Sequence, residues 1–296
     1  MKCALITAGG CGTRLYPLST KDCPKQFVRM FGDKSLLQLT YERLNKYFDK
    51  DNIFIVLPLK YKHFINELLP FVKDENIIIE PSQKSTAPAI LYSLLKIKKI
   101  RGNAELFVFP ADHYIPDENK FINCIDDAYS FIQENDSLVL FGIKPTLALN
   151  RYGYLKAKDM SYISKISKFK EKPNNIKAKM YFANSKYYWS SDIYGFNINY
   201  MLDLYKKYMP SDYALLTNDL LNVDSAYELC TATSTACGIF EKADNVYMMK
   251  CDFLWDDVGV FESLLKYTDN KNVIDAYNEK MMMDSLKRIE NLVNDN

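Results

Sequence analysis

Short apolar blocks recur along the first half of the chain, and the segments between them carry apolar residues three or four positions apart. Ala4-Leu5-Ile6 reads as a buried strand and residues 35–48 as a helix, with Ile53-Phe54-Ile55-Val56-Leu57 the next strand, stopped by Pro58. Tyr61, Phe64, Ile65, Leu68, Leu69 and Val72 then fall at i, i+3, i+4, i+7, i+8 and i+11, which predicts one face of an amphipathic helix. Ile77-Ile78-Ile79 predicts a third strand, and residues 87–100 a helix that buries Ile90, Leu91, Leu94 and Leu95. Leu106-Phe107-Val108-Phe109, ended by Pro110, is a fourth strand, and a helix over 121–133 leads to the strand Leu138-Val139-Leu140-Phe141.

Strands that are apolar on both faces and separated by helices imply an α/β fold with a Rossmann-like, mainly parallel mixed sheet flanked by helices. Ligands of such sheets sit beyond the carboxyl ends of the strands, which directs attention to residues 8–14, 80–86 and 110–113. The second half is more mixed, with a hairpin expected over 152–173 and helices near 176–185, 200–208 and 260–268. No Pro/Gly/Ser linker, repeat or low-complexity tract divides the chain, so residues 1–270 read as one domain. Residues 271–296 read as a polar helical tail with three consecutive methionines at 281–283.

Composition narrows the partners. The formal charge of 296 residues is +1, which disfavours duplex nucleic acid or an anionic membrane as a broad electrostatic partner, so any cationic site is local. The seven cysteines are scattered without a C-x-x-C pair, against both a disulfide framework and a zinc site. Reduced thiols, together with an N-terminal apolar stretch too short for a signal and no segment of membrane-spanning length, predict a cytoplasmic protein.

The candidate chemistry begins at the end of the first strand. Of only ten glycines, three stand at 9, 10 and 12, in Ala8-Gly9-Gly10-Cys11-Gly12-Thr13-Arg14-Leu15. Glycine lets backbone amides approach a phosphate closely, and Arg14 followed by Lys25 adds a bidentate grip and a compact charge. The pattern is neither a P-loop, lacking G-K-[ST], nor a clean G-x-G-x-x-G.

The run from Gly9 to Leu18, with Pro24-Lys25-Gln26-Phe27 after it, resembles the signature of sugar-1-phosphate nucleotidyltransferases. Lys-Gln-Phe with Ser35-Leu36-Leu37-Gln38 is most similar to the mannose-1-phosphate guanylyltransferases, or GDP-mannose pyrophosphorylases. The likeness continues in family order through Glu80-Pro81-Ser82, Thr86-Ala87-Pro88-Ala89-Ile90, Pro110-Ala111-Asp112-His113 and Tyr152-Gly153-Tyr154. It goes on through Phe169-Lys170-Glu171-Lys172-Pro173, Tyr187-Tyr188-Trp189 and Trp255-Asp256-Asp257-Val258-Gly259, and covers roughly residues 2 to 266.

That resemblance implies the nucleotide-diphospho-sugar transferase type of fold and a set of roles. Arg14, Lys25 and Lys172 would be catalytic, the first two serving the triphosphate and the leaving pyrophosphate, the third the sugar phosphate. The nucleotide would rest on Ala8, Gly9, Gly10, Gly12 and Thr13 and on the turn of Glu80, Pro81, Ser85 and Thr86. Asp112 and Asp257 would hold Mg2+, which prefers one or two carboxylates beside phosphate oxygens and water. Gly153 and Glu171 would face the sugar, the glycine leaving room for the ring and the glutamate accepting from its hydroxyls. His113 reads as a packing or supporting histidine, and His63 lies on a surface helix.

Two departures touch the sugar side. The family reads Trp-Asn-Ser-Gly where this chain has Trp189-Ser190-Ser191-Asp192, and Ser-Ile-Asp-Tyr where it has Ser234-Thr235-Ala236-Cys237, with Glu241 kept. Lys84-Ser85 likewise replaces the family's Arg-Asn. The expected partners are a nucleoside triphosphate, GTP first, and a sugar 1-phosphate, mannose 1-phosphate or a related manno-sugar; neither nucleic acid nor membrane is expected, and a homodimer stays open. The alternatives are the same chemistry on another nucleotide or sugar, and a non-catalytic regulator that binds a nucleotide sugar.

Overall fold

The computed structural model describes residues 1–10, 12–218 and 222–294; Cys11 of the glycine cluster and residues 295–296 of the tail lie outside them. The strands are β1 (Lys2–Thr7), β2 (Arg29–Phe31), β3 (Lys34–Ser35), β4 (Ile53–Pro58), β5 (Ile77–Glu80) and β6 (Glu105–Pro110). They continue with β7 (Leu138–Ile143), β8 (Tyr154–Ala157), β9 (Ile163–Lys170), β10 (Tyr187–Asn197) and β11 (Val246–Cys251). Nine of them form one sheet in the order β5-β4-β1-β6-β10-β7-β11-β9-β8, and β2 and β3 form a small separate hairpin. The helices used below are α1 (Leu36–Asn45), α2 (Lys62–Leu68), α3 (Thr86–Arg101) and α4 (Glu118–Glu134).

Alternation explains why the strands are apolar throughout. In β1, Ala4 and Ile6 enter one core while Cys3 and Leu5 enter the other; in β4, Ile53, Ile55 and Leu57 oppose Phe54 and Val56. Helices α1, α2 and α4 cover the first face and α3 the second. The start of α1 follows from its sequence: Ser35 Oγ accepts from Gln38 N–H while Gln38 Oε1 accepts from Ser35 N–H, a reciprocal cap.

The helix expected to reach Val72 ends at Leu68. Leu69 precedes Pro70, whose ring disfavours helical backbone before it, and Leu69 sits at φ −138°, ψ 56°. Among β1, β4, β5 and β6 all pairings are parallel, whereas β10 runs antiparallel between β6 and β7. Because β11 is parallel to β7, its carboxyl end opens on the same edge as those of β1, β5 and β6. The register of β10 shifts between Ser190 and Tyr194, and Asp192 lies there at φ 55°. Such a bulge re-aims side chains, here toward the edge where the strands end.

A third, smaller core joins Leu15, Met30 and Leu36 to Val258, Phe261 and Leu264 and takes in Val273 and Ala276 of α10 (Lys271–Asn294; α5 to α9 span Asn175–Phe182, Ile198–Tyr208, Pro210–Thr217, Val223–Glu228 and Phe261–Leu264). The first turns of the tail are therefore packed on the domain. No helix among the described residues is long and apolar enough to cross a membrane.

The middle of β10 is tightly fitted. A β-carbon at Gly195 would stand 2.4 Å from the ring of Phe107, itself fully buried on β6. Gly195→Ala should destabilise the protein by roughly 1–3 kcal/mol through overpacking, read from the midpoint of urea unfolding. A change below about 0.5 kcal/mol would mean that the Phe107 ring shifts freely.

Candidate active site

The glycine turn is built on the residues that follow it. Gly12 is left-handed at φ 55°, and a β-carbon there would lie 2.7 Å from the Lys25 backbone nitrogen, so only glycine fits. Gln26, buried, donates its amide to Ala8 O at 3.0 Å and Gly10 O at 2.8 Å, fixing the loop from beneath.

Lys25 is 3% exposed. Its ammonium lies 2.9 Å from Asp112 Oδ2 and donates to the backbone carbonyl of Asp257. It sits under the cleft wall, where it joins the two carboxylate-bearing turns.

Asp257 is held on both oxygens. Tyr152 donates its hydroxyl to Oδ1 at 2.7 Å, with an Arg151 nitrogen 3.5 Å from the same atom, and an Arg14 nitrogen is 3.5 Å from Oδ2. Burial is the largest single influence and works to raise both Asp112 and Asp257, but the Lys25 charge, joined by hydrogen bonds and the other nearby cations, outweighs it and holds each below the ordinary carboxylate range. Both are ionised at neutral pH. His113 is buried, accepts at Nδ1 from Trp255 Nε1–H at 3.1 Å, and is pushed down to about 4 by burial, so it is a neutral packing group. No group of three or more His, Cys, Asp or Glu suited to a metal occurs among the described residues. Two ionised carboxylates beside an open cleft nevertheless fit magnesium, which takes few protein oxygens and completes its shell with phosphate and water.

The two carboxylates face a cleft of about 850 Å3 that runs across the strand ends. Gly9, Gly10, Arg14, Glu80, Ser85, Thr86, Asp112, Gly153, Glu171, Lys172, Ser190, Asp192 and Asp257 line it. Ala8, Gly12, Thr13, Lys25 and Pro81 do not line it.

At one end Glu80 is buried against Gly9, where a β-carbon would stand 2.9 Å from Glu80 Oε1. Tyr227 donates to its Oε2 at 3.2 Å, but burial dominates and pushes Glu80 up to about 7. Ser85, at φ 70° and ψ −172°, precedes α3, and Thr86 Oγ1 accepts from Thr235 N–H at 2.9 Å. Lys84 pairs with Glu228 at 3.0 Å instead of facing the cleft.

At the other end the hairpin of β8 and β9 sets Gly153 beside Ser190, whose N–H donates to Gly153 O at 2.8 Å. A β-carbon at Gly153 would stand 2.9 Å from Glu171 Oε2, so the glycine makes room for that carboxylate. Glu241 receives the Glu171 N–H at 3.2 Å and Lys170 at 3.4 Å, and so shapes the turn. Lys172 is left-handed at φ 37°, its side chain is 67% exposed, and it pairs with Glu171 at 3.2 Å. Asp192 opens onto the cleft, and its acidity is weakened by the surrounding walls and then by Glu171.

The sequence alone gives no role to Gln26, Arg151 or Tyr152, although Gln26 lies in Pro24-Lys25-Gln26-Phe27 and Tyr152 in Tyr152-Gly153-Tyr154. The only signals were a polar amide between Lys25 and Phe27 and a lone cation before an aromatic–glycine pair.

A family profile described as Nucleotidyl transferase matches residues 3–272. A mannose-1-phosphate guanylyltransferase of Escherichia coli is 33% identical over 280 residues, covering 88% of this chain and 60% of its own. The xanthan biosynthesis protein XanB of Xanthomonas campestris is 32% identical over 283 residues, covering 90% of this chain and 59% of its own. A solved structure from Thermus thermophilus, described as a mannose-1-phosphate geranyltransferase, superposes with a TM-score of 0.83 at 28% identity, over 91% of this chain and 80% of that one. The chain spans about three-fifths of the length of these curated relatives.

The Glu80 environment has a measurable consequence. Its folded-state value of about 7 lies above the ordinary 4.5, so across that window the folded protein keeps a proton that the unfolded chain has lost. Stability therefore falls as pH rises from about 4.5 to about 7, by on the order of 3 kcal/mol. Glu80→Gln should remove that loss and gain on the wild type between pH 5 and pH 8 in urea unfolding. Equal pH slopes for the two proteins would show that Glu80 keeps an ordinary acidity.

Proposed function

Because the chain belongs to the nucleotidyl transferase family, we propose that it transfers a nucleotidyl group, GMP from GTP, to mannose 1-phosphate or a related manno-sugar phosphate. The products are a GDP-sugar and pyrophosphate. The observation that carries the reading is the meeting of Asp112 and Asp257 on one buried lysine, beside a glycine loop and a cleft with cations on its wall. The names of the guanylyltransferase relatives support the nucleotide and the sugar.

The chemistry needs no general base. A sugar phosphate oxygen is already anionic at neutral pH; it attacks the α-phosphorus, a P–O bond forms, and the bond to the β-phosphate breaks as pyrophosphate leaves. The protein's work is to hold the groups in line and to neutralise developing charge. Arg14 grips the triphosphate, Lys172 serves the sugar phosphate, and Lys25 keeps the two aspartates together from below. Asp112 and Asp257 would hold magnesium, which when bound offsets negative charge on the reacting phosphates. Glu80 and the backbone of the glycine loop receive the base, and Gly153 and Glu171 the sugar.

Residues 1–270 form the catalytic unit in this reading, with 271–296 a helical appendage. The scattered thiols, free at all six cysteines described, support a reducing cytoplasmic setting.

A second version keeps the chemistry and changes the sugar. The expected carboxylate is absent at Ala236, which lines the cleft, and one is gained at Asp192, which lines it too. A buried sugar hydroxyl without a partner costs about 1–3 kcal/mol, so moving a carboxylate moves the preferred hydroxyl. The preferred substrate is then a modified or extended manno-sugar.

Pyrophosphate release should be fastest with GTP and a manno-configured sugar 1-phosphate, and Asp112→Asn should cut turnover at least about a hundredfold at saturating magnesium. Absence of release with every common triphosphate and sugar 1-phosphate would leave the chain a nucleotide-sugar-binding regulator. Specificity is tested with mannose 1-phosphate itself. The triple change Ser190→Asn, Asp192→Gly and Ala236→Asp should raise a weak wild-type kcat/KM about tenfold, whereas a strong wild type that the change lowers would remove Asp192 from the specificity wall.

A further inference from the structure

We propose that Arg151 binds the phosphate of the sugar 1-phosphate, from the side of Asp257 opposite Arg14. The inference rests on the nucleotidyl-transfer reading above. Arg151 lines the cleft and its side chain is 25% exposed. One of its terminal nitrogens donates to Tyr152 OH at 2.9 Å and lies 3.5 Å from Asp257 Oδ1. The second distance is longer than a good hydrogen bond, and Tyr152 already donates to that same oxygen at 2.7 Å. Asp257 is thus held without Arg151.

The guanidinium has unused capacity. It carries five N–H donors, one of which serves Tyr152. Its Nε is buried and finds no hydrogen-bond partner among the described residues. The orphaned Nε means that the protein leaves this guanidinium unsaturated, while the side chain as a whole still lines the cleft. The group is also held still, lying 5.0 Å from the centroid of the Tyr152 ring. That ring in turn packs against Trp189 and Trp255 at 4.9 and 5.2 Å. A planar fork fixed on an aromatic platform loses little freedom when a phosphate arrives.

Position along the chain selects which phosphate. Arg14 leaves the glycine loop and approaches Asp257 Oδ2, whereas Arg151 approaches Oδ1 and stands two residues before Gly153, at the end of the cleft walled by Glu171 and Ser190. The other cation at that end, Lys172, is 67% exposed and already paired with Glu171 at 3.2 Å. Arg151 is the less exposed of the two, and it keeps a planar fork of donors beyond the one that Tyr152 takes.

Arg151→Gln and Arg151→Lys test this in steady-state kinetics with GTP and mannose 1-phosphate. The glutamine variant should raise the KM for mannose 1-phosphate at least about tenfold, leave the KM for GTP and, in reverse, for pyrophosphate within about twofold, and be partly rescued by lysine. A rise in the GTP or pyrophosphate KM instead, or a lowered melting temperature with every KM unchanged, overturns it. Calorimetric titration of mannose 1-phosphate into wild type and Arg151→Gln separates this idea from the reading beneath it. A wild type that binds at least about tenfold tighter than the variant, yet releases no pyrophosphate, sinks only the catalytic reading. Equal affinities, or binding to neither protein, sink the role of Arg151.

Discussion

An ammonium group taken out of water must recover its lost solvation from its neighbours, and Lys25 does so between the Asp112 carboxylate and the Asp257 carbonyl. Removing one partner from such a buried pair typically costs about 3–5 kcal/mol, because the remaining charge is left unsolvated. The cost fixes geometry. Asp112 follows β6 and Asp257 follows β11, strands separated by β10 and β7 in the sheet, and the lysine obliges their turns to converge. The adjacent Gln26 ties the glycine loop into the same joint through Ala8 and Gly10. Packing alone would align the strand ends; the buried lysine determines how closely the turns beyond them approach.

Backbone strain falls on the same edge of the sheet. The four non-glycine residues with positive φ among those described are Ser85, Lys172, Asp192 and Val258. Three line the cleft, and the fourth follows Asp257 directly. Each such residue costs on the order of 1–3 kcal/mol and persists only where its surroundings hold it. Those surroundings are identifiable. Glu241 takes the N–H of Glu171 beside Lys172, and Asp256 takes the N–H of Val258 at 2.7 Å. The bulge of β10 between β6 and β7 holds Asp192. Rigid scaffold thus carries turns that would relax if free, as expected where side chains must face a ligand instead of the core.

How much of this was legible in the sequence follows from where each signal resides. Strands β1, β4, β5 and β6 were readable because burial on both faces leaves an unbroken apolar run, and their ends pointed to the glycine loop, Glu80 and Asp112. Strand β10 was not, because the polar run Ser190-Ser191-Asp192 at its bulge interrupts the pattern. Strand β11 alternates Val246 and Met248 with Met249 and Cys251 between the two cores, but methionine carries little strand preference. Arg151 and Tyr152 were silent for another reason. What they do depends on Asp257, which is distant in the chain, and no local spacing encodes such a contact.

Charge is distributed unevenly along the cleft. A net charge of +1 over the chain conceals a sequence of local fields. Glu80 stands at one end, Arg14, Arg151 and the buried Lys25 cluster around the two aspartates in the middle, and Glu171 and Asp192 stand at the other end. A ligand that matches this order is anionic in its middle and presents hydrogen-bond donors at both ends. Under the proposed reading, that describes a nucleotide base edge and a sugar joined through phosphates. The weakened acidity of Glu80 and Asp192 fits the same order. A carboxylate starved of solvent, as Glu80 is, gains more from a donor than a solvated one does. The centre supplies affinity through charge that any phosphate would satisfy. Selectivity therefore belongs to the ends, and under the proposed reading the departures at Ser190, Asp192 and Ala236 fall at the end that takes the sugar.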